Sequence, residues 1–417
     1  MQRTRVDRLG GHSTARLIAA ALLSTVMAGC GGGGSSSSAS APQAMTILHA
    51  FNTTAGYGPS SGVVSDGQGN LYGTTAIGGS GAVYKIDASG VATTLHSFDG
   101  SDGLTPTTLL RGSDGNLYGT TQSGGAYGDG TVFKITPQGA LTTLHSFSGP
   151  DGFLPSVLIW GTDGNLYGTT FVGGATFTSN TDATLTGAGT IFKLTTSGEL
   201  TTLYSFKGVD GYSPISMVQG TDGAFYGATV FGGPAYVSST PSEQGAGTVF
   251  KLTADGTLTT LFAFGGTTSP SPTALIQGAD GNLYGTTYGG GGSLSAALGT
   301  VFQVTLNGGF TTLYSFSGTD GMYPDGINQG ADGNLYGTTG QGGPTYNSNG
   351  NELGYGTIFK ITPAGAFTSV FSFAESNGAT PQGSLLQGSD GAFYGTTSQA
   401  GPSGGGTVFK LDLPADQ

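Results

Sequence analysis

The chain has one cysteine, one tryptophan, four histidines and only 12 lysines and arginines among its 417 residues. A lone cysteine, Cys30, excludes any disulfide within the molecule. The basic residues are outnumbered by 24 aspartates and glutamates, giving a formal charge of −12. A surface this acidic repels phosphate backbones and anionic lipid heads, which disfavours nucleic acid as a partner and leaves cations or neutral polar ligands. Helical periodicity is missing beyond the first thirty residues, so an all-β chain is expected.

Four of the arginines, Arg3, Arg5, Arg8 and Arg16, precede a short apolar run over residues 17–27 and then Met27-Ala28-Gly29-Cys30. A basic start, an apolar stretch too short to span a bilayer and small residues before a cut site predict a secretory signal over residues 1–29. The sequence around the cut resembles a bacterial lipobox, which implies that Cys30 is the lipidated residue and that the protein is extracytoplasmic and membrane-anchored. Gly31 after the cysteine, rather than Asp, leans toward the outer membrane or cell surface. Residues 30–44, mostly Gly and Ser, read as a flexible tether. Cleavage after residue 29 leaves 23 acids against 8 Lys and Arg, a charge of −15.

What the chain has in abundance is repetition. The phrase Asn-Leu-Tyr-Gly-Thr-Thr, or a close variant, places Tyr72, Tyr118, Tyr167, Tyr226, Tyr284, Tyr336 and Tyr394 at intervals of 46 to 59 residues. A unit of that length cannot bury its own apolar faces and must stack on copies of itself. Each unit carries four short runs rich in Thr, Val, Ile, Leu, Phe and Tyr, as at residues 107–111, 116–121, 131–136 and 141–147. Asp114-Gly115 and its counterparts separate the first run from the second, predicting a two-residue hairpin with both turn residues at positive φ.

Seven such meanders predict a seven-bladed β-propeller over residues 45–417, with four antiparallel strands per blade. The chain opens with a fourth-strand sequence at residues 46–51 and ends with a third-strand sequence at residues 407–411. The count balances only if the N-terminal strand completes the last blade and closes the ring. A closed ring has no open edge, so a monomer is expected.

Few residues offer chemistry. His12 lies in the signal, and His49, His96 and His145 share a fourth-strand slot filled elsewhere by Tyr204, Phe262, Tyr314 and Phe371, which reads as a packing position. Lys85, Lys134, Lys193, Lys251, Lys360 and Lys410 share a third-strand slot, with Gln303 in the seventh copy, and read as repeated hydrogen bonds or ion pairs. Two Gly-x-Ser-x-Gly strings, at residues 58–62 and 401–405, lack the strand-to-helix setting that makes such a serine nucleophilic.

The length variation lies between the second and third strands, from 6 residues at 76–81 to 18 at 171–188. In a meander these loops emerge on the same face as the connections between blades, making that face the candidate contact surface. The connections carry Asp-Gly-x-x-Pro with Asp102, Asp151, Asp210 and Asp320, accompanied by Tyr57, Phe153, Tyr212 and Tyr323. Carboxylates and aromatics around a channel mouth suit a cation such as calcium or a stacked sugar, while the same Asp-Gly pairs also serve simply as turns. No cofactor motif is present.

The strings at residues 112–121, 124–125, 130–136 and 142–147 resemble the bacterial GloVer tandem-repeat family, and the similarity runs over residues 45–413. The resemblance implies an exported protein with a surface anchor and supplies no catalytic residues. The blade is also similar in strand order to NHL and strictosidine-synthase propellers, which implies fold alone. The reading is a lipid-anchored binding or scaffold module whose partner is a glycan or a cell-surface protein. The alternatives are a carbohydrate-active enzyme, a lyase or hydrolase using the acids of the loop face, and a structural role without a ligand.

Overall fold

Each repeat folds into one antiparallel four-stranded sheet in the computed structural model, which describes residues 45–52, 58–76, 79–176, 187–236, 245–265, 270–290, 297–347 and 352–413. The seven sheets form a seven-bladed β-propeller, and the described residues contain no helix. Tyr57 and residues 1–44, which include Cys30 and the stretches expected to be a signal and a tether, lie outside the described residues.

The second blade shows the pattern: Leu104–Arg111, Leu117–Ser123, Thr131–Ile135 and Leu141–Ser146. The first strand begins three residues earlier than its sequence suggests, because a bulge between Pro106 and Thr108 restores pairing and sets Leu104 opposite Ser123. First strands of neighbouring blades touch one another around the axis, whereas fourth strands pack chiefly on their own third strands.

The turn after the first strand differs from the expected two-residue hairpin. Gly115 has φ +80 while Asp114 is not among the residues at positive φ. The Gly112 N–H bonds the Asn116 carbonyl and the Gly115 N–H bonds that of Gly112, so three residues form a type I turn completed by a left-handed glycine. Asp114 serves this turn with its side chain, which accepts the Asn116 N–H at 3.1 Å.

The core is divided among the seven seams between blades. In the third strand Val132 points into one seam and Phe133 with Ile135 into the other, the period of two expected of a sheet buried on both faces. Phe133 lies flat against the second strand only because Gly119 faces it; a Cβ there would stand 2.5 Å from both the ring and the Thr108 carbonyl.

The last blade consists of Ala379–Gln387, Phe393–Gln399 and Gly404–Leu411, and its outermost strand is Met45–Asn52. Met45 stands opposite Leu411 and Ala50 opposite Thr407. Phe51 joins Val408 in the seam against Val63, Leu71, Tyr84 and Ile86 of the first blade. The N-terminal strand thus closes the ring, as its sequence predicts.

Candidate ligand-binding face

The connections between blades and the loops between second and third strands share one face. The N–H groups of Gly125, Gly174, Gly233 and Gly343 in the loops bond the carbonyls of Gly100, Gly149, Gly208 and Gly318 in the connections. Beneath them runs a relay of buried hydroxyls. Thr121 and Thr131 meet at 2.8 Å, and the Thr131 hydroxyl donates to the Asp102 carbonyl at 3.2 Å. The same relay ends on the carbonyls of Asp151, Asp210 and Asp320, which accounts for the second Thr of the repeated Thr-Thr.

The four aspartates of these connections hold equivalent positions, and each uses one carboxylate oxygen within its own connection and the other on the strand that leads into it. One oxygen of Asp102, Asp151, Asp210 and Asp320 accepts a backbone N–H, from Asp99, Ser148, Lys207 and Ser317 in turn. The other meets a fourth-strand side chain: His96 at 2.6 Å, His145 at 2.8 Å, the Tyr204 hydroxyl at 2.6 Å and the Tyr314 hydroxyl at 2.5 Å. Where that slot holds Phe262 or Phe371 the following connection has no aspartate, and after Phe371 the Asn377 side chain accepts the Ala374 N–H instead. In these four blades the slot is therefore more than a packing position, because His96, His145, Tyr204 and Tyr314 orient the loop-face carboxylates, whereas no aspartate follows His49.

Burial pushes the Asp151 carboxyl up, but the His145 bond and the Ser148 N–H outweigh it and hold it below the usual carboxylate range. Burial and the bonded carboxylate raise the Tyr204 and Tyr314 hydroxyls, so both stay protonated donors. Among the described residues no three His, Cys, Asp or Glu side chains converge on a point where a metal ion would sit.

The face gathers aromatics beyond those expected. Tyr212 stacks with Tyr236 at 6.0 Å between centroids, and Tyr323 stacks with Tyr288 at 4.2 Å and 5° across the seam between the fifth and sixth blades. Phe153 is half-buried at the start of its strand. Tyr236 and Tyr346 lie over Gly208 and Gly318, where a Cβ would collide with their rings. These two and Tyr288 belong to the loops after the second strands, and the signal for Tyr236 and Tyr346 is the string Gly-Gly-Pro-x-Tyr at residues 232–236 and 342–346.

Tyr323 occupies a strained slot. The residue before the repeated proline has positive φ in six blades, at Thr105, Leu154, Ser213, Ser271, Tyr323 and Thr380. Such backbone is costly for a bulky side chain. It is held by N–H bonds to the preceding blade, from Tyr323 to Leu298 at 2.8 Å and from Thr105 to Ser80 at 2.9 Å. Just past the proline, Ser60, Ser156 and Thr273 donate to the proline carbonyl of the next blade. In the sixth blade that position is Asp325, a carboxylate on an axial strand, which accepts the Gly383 N–H at 3.3 Å. Its signal in the sequence is the replacement of a repeated Ser or Thr.

The opposite face is built on a different carboxylate. Asp114 accepts the Tyr118 hydroxyl at 2.8 Å and the Lys134 ammonium at 2.9 Å, with Asn116 completing the hub. Asp163, Asp222, Asp332 and Asp390 repeat it with Lys193, Lys251, Lys360 and Lys410. Gln303 instead donates to the Tyr284 hydroxyl at 2.8 Å. In the first blade the acid has moved to Asp66, and the charge of Lys85 acts on Asp87.

The Gloeobacter/Verrucomicrobia repeat matches residues 20–240, 173–349 and 235–417, and the chain belongs to that family. Among solved structures, the virginiamycin B lyase from Staphylococcus aureus is similar over 89% of this chain and 99% of its own, with 17% identity and a TM-score of 0.61. An oligogalacturonate lyase from Vibrio parahaemolyticus is similar over 89% and 93%, with 12% identity and a TM-score of 0.56. At these identities the likeness is one of fold alone. No curated protein matches the chain in sequence.

Proposed function

We propose that the protein is an exported, lipid-anchored binding module that contacts a glycan or a cell-surface protein through its long-loop face. The observation that supports this reading is the pairing of engaged carboxylates with stacked tyrosines. Asp102, Asp151, Asp210 and Asp320 spend their oxygens on their own connections and the strands that lead into them, while Tyr212 with Tyr236 and Tyr288 with Tyr323 offer aromatic surface suited to stacking against a sugar ring or an apolar side chain. The alternative of a polysaccharide lyase or hydrolase requires Asp151, Asp210 or Asp320 to release these bonds before acting as acid or base.

The test is a glycan and soluble-ligand screen of residues 45–417, with and without calcium, followed by Tyr323→Thr. Thr105 and Thr380 already fill that slot in other blades, so the fold is retained. Loss of affinity in the folded variant, with no polysaccharide turnover by the parent, supports the module. Turnover abolished by Asp151→Asn would support the enzyme, and unchanged affinity in Tyr323→Thr together with a variant shortened over residues 171–188 would remove this face. For the anchor, fatty-acid labelling retained in Cys30→Ser would show that Cys30 is not the site.

A further inference from the structure

Five of the seven seams are bridged among the described residues, on the short-turn face, by a hydrogen bond from the last residue of a first strand, and at a sixth Arg111 sets its charge near Asp66. Four times this residue is a glutamine whose amide bridges two turns. Gln219 accepts the Thr162 N–H of the preceding blade at 2.8 Å and donates to the Gly223 carbonyl of its own turn at 3.1 Å. Gln277 does the same between Thr221 and Gly281, Gln329 between Ala279 and Gly333, and Gln387 between Ala331 and Gly391. In the second and third blades Arg111 and Trp160 hold the position, and the Trp160 indole donates to the Arg111 carbonyl at 3.0 Å.

The seventh seam, between the last blade and the first, has Ser65 there. Its hydroxyl is taken by the Gly67 N–H of its own turn and does not bridge the seam. The two groups that a glutamine would join are the Ser389 N–H and the Gly69 carbonyl, and neither has a hydrogen-bond partner among the described residues. At this seam a cleft of about 380 Å³ opens, lined by Ser65, Gly69 and Ser389, with Leu71 and Leu386 among its apolar walls and Asp390 at its rim.

We propose that this cleft is a binding site for a primary carboxamide, a glutamine-type side chain that enters from outside and makes the bridge that Ser65 cannot. The carbonyl of the ligand accepts from Ser389, its NH2 donates to Gly69, and its methylenes lie on the leucines. A carboxylate of the same shape lacks the donor and meets Asp390 and Asp87, while Lys410, the one cation of the lining, is already paired with Asp390 and Asp412, so the site discriminates amide from acid. It lies on the face opposite the long loops and stands or falls independently of them.

The experiment is an amide-resolved NMR titration of the protein with N-acetylglutamine methylamide and, separately, with its glutamate counterpart. Saturable shifts at Ser389 and Gly69 are expected from the amide alone, with a Kd in the millimolar range. They should vanish in Ser65→Gln, whose own side chain fills the seam and raises the melting temperature by about 1–2 °C. Ser389→Pro, which removes the donor at a turn position that favours proline, should also abolish them. The proposal is overturned by no saturation at roughly tenfold higher concentration, by equal shifts from the glutamate probe, or by binding that survives in either variant.

Discussion

The imidazole Nε2 of His145 lies 2.8 Å from a carboxylate oxygen of Asp151, six residues on, and Tyr204 makes the same bond to Asp210 with a phenol. Two unlike side chains share one task, which is to fix the carboxylate that shapes the loop face. His145→Phe leaves that oxygen without its partner and should cost about 1–3 kcal/mol, whereas His145→Tyr should stay close to wild type. Urea melts of the two variants decide the matter: equal stability of His145→Phe and the parent would reduce the slot to packing.

Tyr84 stands where the other six blades have phenylalanine, and its hydroxyl is buried with no hydrogen-bond partner among the described residues. Burial drives its ionisation far out of reach. Removing an unsatisfied buried hydroxyl while keeping the ring recovers its desolvation penalty, so Tyr84→Phe should be neutral to about 1–2 kcal/mol more stable. A clear loss in thermal or chemical melts would mean that the hydroxyl has a partner.

Acid should weaken the molecule through the short-turn hubs. Burial pushes the Asp332 carboxyl up, but Asn334, Tyr336 and Lys360 outweigh it and hold the group at about 2. Asp114 and Asp163 are held lower still by the same kinds of partner. A pKa below the unfolded value of about 3.9 contributes stability that is fully present above it and is lost as pH falls through the folded value. The melting temperature should therefore drop most steeply between about pH 4 and pH 2, less so in Asp332→Asn. Melting temperatures level down to pH 2 would contradict the role of the hubs.

Deleting residues 45–51 removes the outer strand of the last blade and Phe51 from the seventh seam. The other six blades keep their strands, yet the ring opens along one whole seam. Insolubility or a fall in melting temperature of 10 °C or more, on the order of several kcal/mol, is expected in a thermal scan. A variant melting within a few degrees of the parent would show that closure contributes little.

Much of the fold was legible because the repeat fixes it seven times over. The phase of residues 46–51 against 407–411 disclosed the closing strand, and Gln303 among six lysines disclosed a structural slot. The turn type was not legible, since Asp-Gly serves both a two-residue and a three-residue hairpin, and the count of residues paired across it decides. The partners of His96 and His145 were legible in principle: an aspartate stands six residues after His96, His145, Tyr204 and Tyr314 and is missing after His49, Phe262 and Phe371. Tyr288 was hidden by its place in a loop that differs from blade to blade, whereas Tyr236 and Tyr346 share a Gly-Gly-Pro-x-Tyr string that only two blades carry. The cleft at Ser65 was hidden for another reason, since its two walls come from opposite ends of the chain and meet only when the ring closes.

The closing strand enters the disc at Met45, beside Leu411, and leaves it at Asn52, beside Gly404. Met45 lies at the short-turn end, so a lipid tether attached there would hold the disc with its long loops pointing away from the membrane. Any tug between membrane and partner would then act lengthwise along the strand that clasps the ring. Load in that direction is shared by the whole ladder between Met45–Asn52 and Gly404–Leu411 at once, instead of peeling its bonds one by one. Fastener and mooring would be the same eight residues, so a force large enough to slide them out would open the propeller as it released it.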